Sequence, residues 1–116
     1  EVYPHPALLE LLQRDYRVPY KVGKSRRYWP TQTASERLDR LLAEFAEIEA
    51  ALSREIGGID LPLPAPVAVR GFAALKPRED ALDAVVCAWV GIRYAEGAAD
   101  AYGDRTAAIW VPRSRR

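Results

Sequence analysis

Apolar residues recur at helical spacing over two long segments. In TASERLDRLLAEFAEIEAALSREIGG, the residues Leu38, Leu41, Leu42, Phe45, Ile48, Leu52 and Ile56 fall on one stripe, which predicts an amphipathic helix with one buried face. Thr33 or Ser35 can cap its start, and Glu36 stands three residues after Thr33, as a capping box requires. Gly57-Gly58 can end it. The outer face alternates Glu, Asp and Arg, the pattern of a solvated surface. The segment Lys76 to Gly97 predicts a second helix, with Pro77 in its first turn and Gly97 at its end. It is apolar nearly all round, which predicts burial.

Elsewhere the period breaks. Pro6 to Arg14 reads as a short helix with Leu8, Leu9, Leu11 and Leu12 on a broad apolar face. Asp15 to Pro30 has no clean period and reads as an ordered loop. Ile59 to Gly71 is punctuated by prolines and reads as an extended connector. Glu1–Tyr3 reads as the end of a strand, because Val2 and Tyr3 favour strands and Pro4 and Pro6 have no N–H for a ladder. Ala101 to Asp104 reads as a turn, Thr106 to Pro112 as a short strand, and Arg113 to Arg116 as a basic tail. The expectation is one α/β domain over residues 1–112 and a tail over 113–116. It is mainly helical, with short strands near Glu1–Tyr3 and Thr106–Val111.

Composition narrows the partners more than the fold. The 116 residues are 49% hydrophobic and carry a formal net charge of +1, so the global balance requires no polyanion partner. The single cysteine, Cys87, excludes an internal disulfide framework and a Cys-based zinc site. It suits a reducing compartment, and a cytoplasmic location is expected. No apolar run has the length of a membrane span, and residues 1–15 have no signal-peptide pattern.

Two features carry candidate chemistry. Asp80 and Asp83 lie three apart and share a helix face, continued by the small residues Ala84, Cys87 and Gly91. A face of small residues predicts close approach to another element, and carboxylates at its rim call for a neutralising cation. The competing account is the helix dipole, which favours acids in a first turn. It covers Glu79 and Asp80 fully but Asp83 poorly, because Asp83 lies in the second turn and also i,i+4 from the like charge of Glu79. The second feature is the loop carrying Lys21, Lys24, Arg26 and Arg27 beside Tyr28 and Trp29. The cations suit a phosphate backbone and the rings suit a stacked base. Alternatively the rings anchor the loop and the charges are ordinary surface. Val22 to Ser25, VGKS, is no phosphate-binding Walker loop, because Val18 stands where a glycine is needed. His5 and Cys87 suggest no Cys–His catalysis, and Trp89 and Trp110 read as core anchors.

Four blocks in order, EVYPHPAL near the start, Pro19-Tyr20-Lys21, DALDAVVCA from Asp80 to Ala88, and AIWVP from Ala108 to Pro112, resemble a bacterial and archaeal family long labelled a domain of unknown function. That family is regarded as predicted nucleases with a ribonuclease H-like fold, and the Asp-x-x-Asp resembles the Holliday-junction resolvase branch of that superfamily. The resemblance implies the C-terminal half of such a fold, beginning at its fourth strand with the first three strands absent. It implies a hydrolase that cleaves DNA or RNA phosphodiesters with Mg²⁺ or Mn²⁺. Glu1, Asp80 and Asp83 would be the catalytic metal ligands, and the family's first-strand aspartate has no counterpart here. Hard cations suit such carboxylate oxygens. Two other readings stand beside it. One is a non-catalytic, helix-rich interaction module, a homo-oligomer paired through edges at Glu1–Tyr3 and Ala107–Val111. The other is nucleic-acid binding without cleavage.

Overall fold

The long amphipathic helix forms where its stripe and cap place it. In the computed structural model, which describes residues 1–57 and 71–113, α3 runs Ala34–Glu55. Thr33 Oγ1 accepts the Glu36 N–H and Glu36 returns a bond to the Thr33 N–H, so the capping box is closed at both ends. Leu41, Leu42, Phe45, Ile48 and Leu52 are buried, and Leu38 and Ile56 pack against them.

The second long helix, α4, runs Lys76–Ala95. Gly97 follows it in the left-handed region at φ 73°. Its N–H and that of Ala98 close back onto the carbonyls of Tyr94 and Arg93, the Schellman arrangement that favours glycine there. The buried face of α4 is Glu79, Leu82, Val86, Trp89, Val90 and Arg93. This corrects the expectation of burial all round. The face continuing from Asp80 through Ala84 and Gly91 is exposed, and a Cβ added to Gly91 would meet nothing within 4 Å. Larger side chains at 82, 86 and 89 supply the apolar area that burial rewards, so they turn inward and the small residues turn out.

The short helix α1 runs Pro4–Leu12, with Pro4 in its first turn. It therefore starts two residues earlier than expected, since a proline that stops a ladder is equally at home at a helix start. The loop expected over residues 15–30 holds a 3₁₀ turn at Val22–Lys24 and a one-turn helix, α2, at Ser25–Tyr28. A second 3₁₀ turn, Phe72–Leu75, leads into α4. The connector expected at 59–71 lies outside the described residues apart from Gly71, as do Gly58 and residues 114–116 of the tail.

Two strands follow α4 among the described residues. β1 is Ala99–Gly103 and β2 is Ala108–Pro112, antiparallel, with Ala101 opposite Trp110. Ala101–Gly103, expected in a turn, thus belong to a strand. The turn starts at Asp104, whose Oδ1 accepts from the Thr106 and Ala107 N–H groups. Gly103 is required before it, because at φ 148° a Cβ would clash with the Ala107 carbonyl oxygen. Glu1–Tyr3 form no assigned strand. Yet the Glu1 amino group donates to the Ala108 carbonyl at 3.0 Å and the Trp110 N–H donates to the Glu1 carbonyl at 2.9 Å, the bond pattern of a parallel pair. The two edges that an interaction module would offer therefore meet each other at Glu1. The result is a mainly helical α/β chain in which α1, α3 and β2 all pack on α4. None of its described helices is long and apolar enough to cross a membrane.

Candidate functional site

The loop containing Lys21 lies against the first two turns of α4, and the contact is ionic. Glu79 is 1% exposed. Its carboxylate accepts the Val22 N–H at 2.7 Å, Lys76 Nζ at 2.6 Å and Lys21 Nζ at 3.3 Å. One turn on, Asp83 accepts the Tyr20 hydroxyl at 2.6 Å and Lys21 Nζ at 2.8 Å. Lys21 thus bridges the like charges of Glu79 and Asp83, which resolves the repulsion that their i,i+4 spacing carries. Asp80 is exposed and stands 3.3 Å from Lys76.

The ionisation states follow. Burial alone would raise the Glu79 pKa, but Lys76, the Val22 N–H and Lys21 outweigh it and hold the carboxyl below its ordinary range. Burial pulls Lys21 down, while Asp83 and Glu79 more than restore it. Tyr20 is pushed well above its ordinary value by burial and by its bond to Asp83, so its hydroxyl stays a donor that fixes the carboxylate.

Beside this network is a cavity of about 250 Å³, walled by His5, Arg17, Tyr20, Lys21, Lys24 and Tyr28. His5 Nε2 accepts the Val18 N–H at 3.2 Å, which requires that nitrogen unprotonated. Burial and then Arg17, Lys24 and Lys21 lower the His5 pKa from 6.5. A depressed histidine contributes stability above its unfolded value and loses it as pH falls through the folded one. Stability should therefore decline as pH drops below about 6.5, and His5→Gln should flatten that limb. Urea midpoints measured from pH 7 downward check this. A limb of equal slope in the variant would assign the decline to other groups.

Among the described residues, no group of three or more His, Cys, Asp or Glu side chains is placed to hold a metal ion. Asp80 and Asp83 remain neighbours one turn apart, and Glu1 does not join them in such a set; its described bonds are to β2. Lys21 and Lys24 line the cavity with His5, whereas the exposed Arg26 borders a different cavity and Arg27 is exposed. Trp89 is buried, and Trp110 packs edge-on against Tyr94 at 4.6 Å between ring centroids. Cys87 is half-buried on the side of α4 bordering the exposed face. Neither Glu79 nor Tyr20 stands among the site residues expected from the sequence, although Tyr20 belongs to the PYK block. Glu79 was absorbed as a dipole-favoured acid in a first turn. Its signal was its i,i+4 spacing to Asp83, a repulsion that calls for a shared cation.

Fold and site together define a small helix-dominated α/β protein with a lysine–carboxylate network at a loop–helix junction. The chain matches the family described as protein of unknown function (DUF429) over residues 1–107, and it belongs to that family. No curated protein and no solved structure matches it.

Proposed function

We propose that the chain is part of a metal-dependent nuclease related to the ribonuclease H-like superfamily, with Asp80 and Asp83 as its carboxylates. The observation that carries this reading is the 2.8 Å contact of Lys21 with Asp83. It sets the basic loop directly on the aspartate helix, so a phosphate drawn to Lys21 and Lys24 arrives beside Asp83.

The donor chemistry fits a divalent ion. Mg²⁺ is commonly held through one or two carboxylates plus substrate phosphates, with water completing its shell. A carboxylate offers about four lone-pair sites, and Asp83 uses two of them, for Tyr20 and Lys21. Asp80 and Asp83 would hold Mg²⁺ or Mn²⁺ jointly with a phosphate oxygen. When bound, the ion supplies Lewis-acid polarisation of the phosphoryl group and acidifies a water. Tyr20 and Lys21 fix the orientation of Asp83, and the exposed Lys24 supplies positive charge for the phosphate. Glu79 holds the loop at the distance where both can act.

Asp83→Asn keeps the shape of the side chain and removes its charge. Cleavage of a mixed panel of single- and double-stranded DNA and RNA in Mg²⁺ or Mn²⁺ should fall at least about a hundredfold, the size of one lost charge-stabilising contact. Cleavage that survives Asp83→Asn and Asp80→Asn would overturn the assignment. Salt-sensitive binding without cleavage in the parent chain would favour the binding-only reading.

A further inference from the structure

We propose that the cleft between the Val22–Ser25 turn and the start of α4 is an anion site, built on Arg37, that takes a phosphate group. Arg37 lies on α3 one turn before Leu41, at the rim of the apolar stripe. In the fold it is only 7% exposed. Its guanidinium lies over the Phe72 ring at 5.1 Å and donates to Ser25 Oγ at 3.3 Å, while its Nε has no partner. No carboxylate among the described residues pairs with it. A buried cation with no counter-charge among the described residues, and with an unused donor, is costly to keep and calls for an anion.

The space for that anion is present. Arg37 borders a cavity of about 420 Å³ shared with Gly23, Arg26, Phe72 and Lys76. This is within the range that accommodates small-molecule ligands. Lys76 is already offset by Glu79 and Asp80. Arg26 is exposed and has no ion pair among the described residues, so two guanidiniums give the cleft its excess positive charge. The planar fork of guanidinium donors matches phosphate oxygens bidentately. The apolar wall at Phe72 leaves room for what the phosphate is attached to. The VGKS turn therefore lines a phosphate cleft without forming a Walker loop. This site uses neither Asp80 nor Asp83 and needs no metal, so it stands whether or not the chain cleaves nucleic acid.

The test is titration of the full chain with inorganic phosphate in EDTA, at constant ionic strength against chloride, following the Arg37 Nε–H resonance and the melting temperature. Phosphate should shift that resonance saturably and raise the melting temperature. Arg26→Ala, which removes an exposed side chain, should weaken phosphate about tenfold, as expected for one charge-assisted contact. Arg37→Lys should abolish the saturable effect; Arg26→Ala keeps the question open to measurement should that variant fold poorly. Competition at the same resonance by a single-stranded oligonucleotide places the phosphate in a strand, and competition by a nucleoside monophosphate alone places it in a free nucleotide; both support the site. An Arg37 resonance that responds to phosphate no more than to chloride, with unchanged melting, would overturn it. Loss of cleavage in Asp83→Asn with phosphate binding intact separates this site from the catalytic proposal.

Discussion

Glu79→Ala is expected to destabilise the chain by about 3 kcal/mol, because it leaves a buried N–H unpaired and removes charge-assisted bonds at once. The Val22 N–H, held at 2.7 Å, has its partner in that carboxylate, and an orphaned buried donor accounts for a large part of the loss. Lys76 and Lys21 contribute less, since their side chains are 57% and 36% exposed and can turn to water. Glu79→Gln keeps an acceptor for Val22 and should cost less. It should also remove an acid limb. The folded Glu79 pKa lies below its ordinary 4.5, so its contribution is complete above that value and is lost as pH falls through the folded one. Urea unfolding at pH 7, with unchanged slope and a lowered midpoint, is the measurement. An alanine variant within about 0.5 kcal/mol of the parent, the range of ordinary surface changes, would show that the loop does not depend on this carboxylate.

That Glu79 matters more to the fold than Asp80 could not be read from spacing. Both acids open the same helix, and a dipole argument treats them alike. What separates them is a rotation of α4 by about one residue, set by which side chains the rest of the core accepts. The stripe of α3 was legible because Leu41, Phe45, Ile48 and Leu52 alternate with charges. Its capping box was legible because Thr33 and Glu36 are local. α4 carries apolar residues on every side, so its period does not choose a face. The choice falls to Leu82, Val86 and Trp89 against α1 and α3, contacts distant in sequence. The same logic holds for Arg37. Its i,i+4 spacing to Leu41 places it at the rim of the apolar stripe, but only the return of the 72–75 turn onto α3 places Phe72 over it. By contrast, the meeting of the PYK block with the Asp-x-x-Asp helix was partly legible. Both were singled out in sequence, and the structure joins them through Tyr20, Lys21 and Asp83.

Leu8→Ala should cost roughly 3 kcal/mol, within the span of buried leucine truncations, and its effect should spread to the N-terminal contacts. α1 has 9 residues, too few to persist as an isolated helix, so its order comes from docking. Ala7 and Leu8 are its fully buried residues. Arg14, just past its end, adds ion pairs to Glu44 and Glu47 on α3 at 2.9 and 2.6 Å, partly exposed contacts of small individual worth. Leu8 is thus the largest fully buried side chain of an element that positions His5 against Val18 and Glu1 against β2. Loosening it should weaken both. The Trp110 N–H reports this directly, because its acceptor is the Glu1 carbonyl. In Leu8→Ala its hydrogen exchange should quicken more than that of the α3 core amides, which exchange through global unfolding. Equal acceleration at both places would mean that α1 and the core open together. A change below about 1 kcal/mol, smaller than any buried leucine truncation of this type, would show that α1 is held by its ion pairs instead.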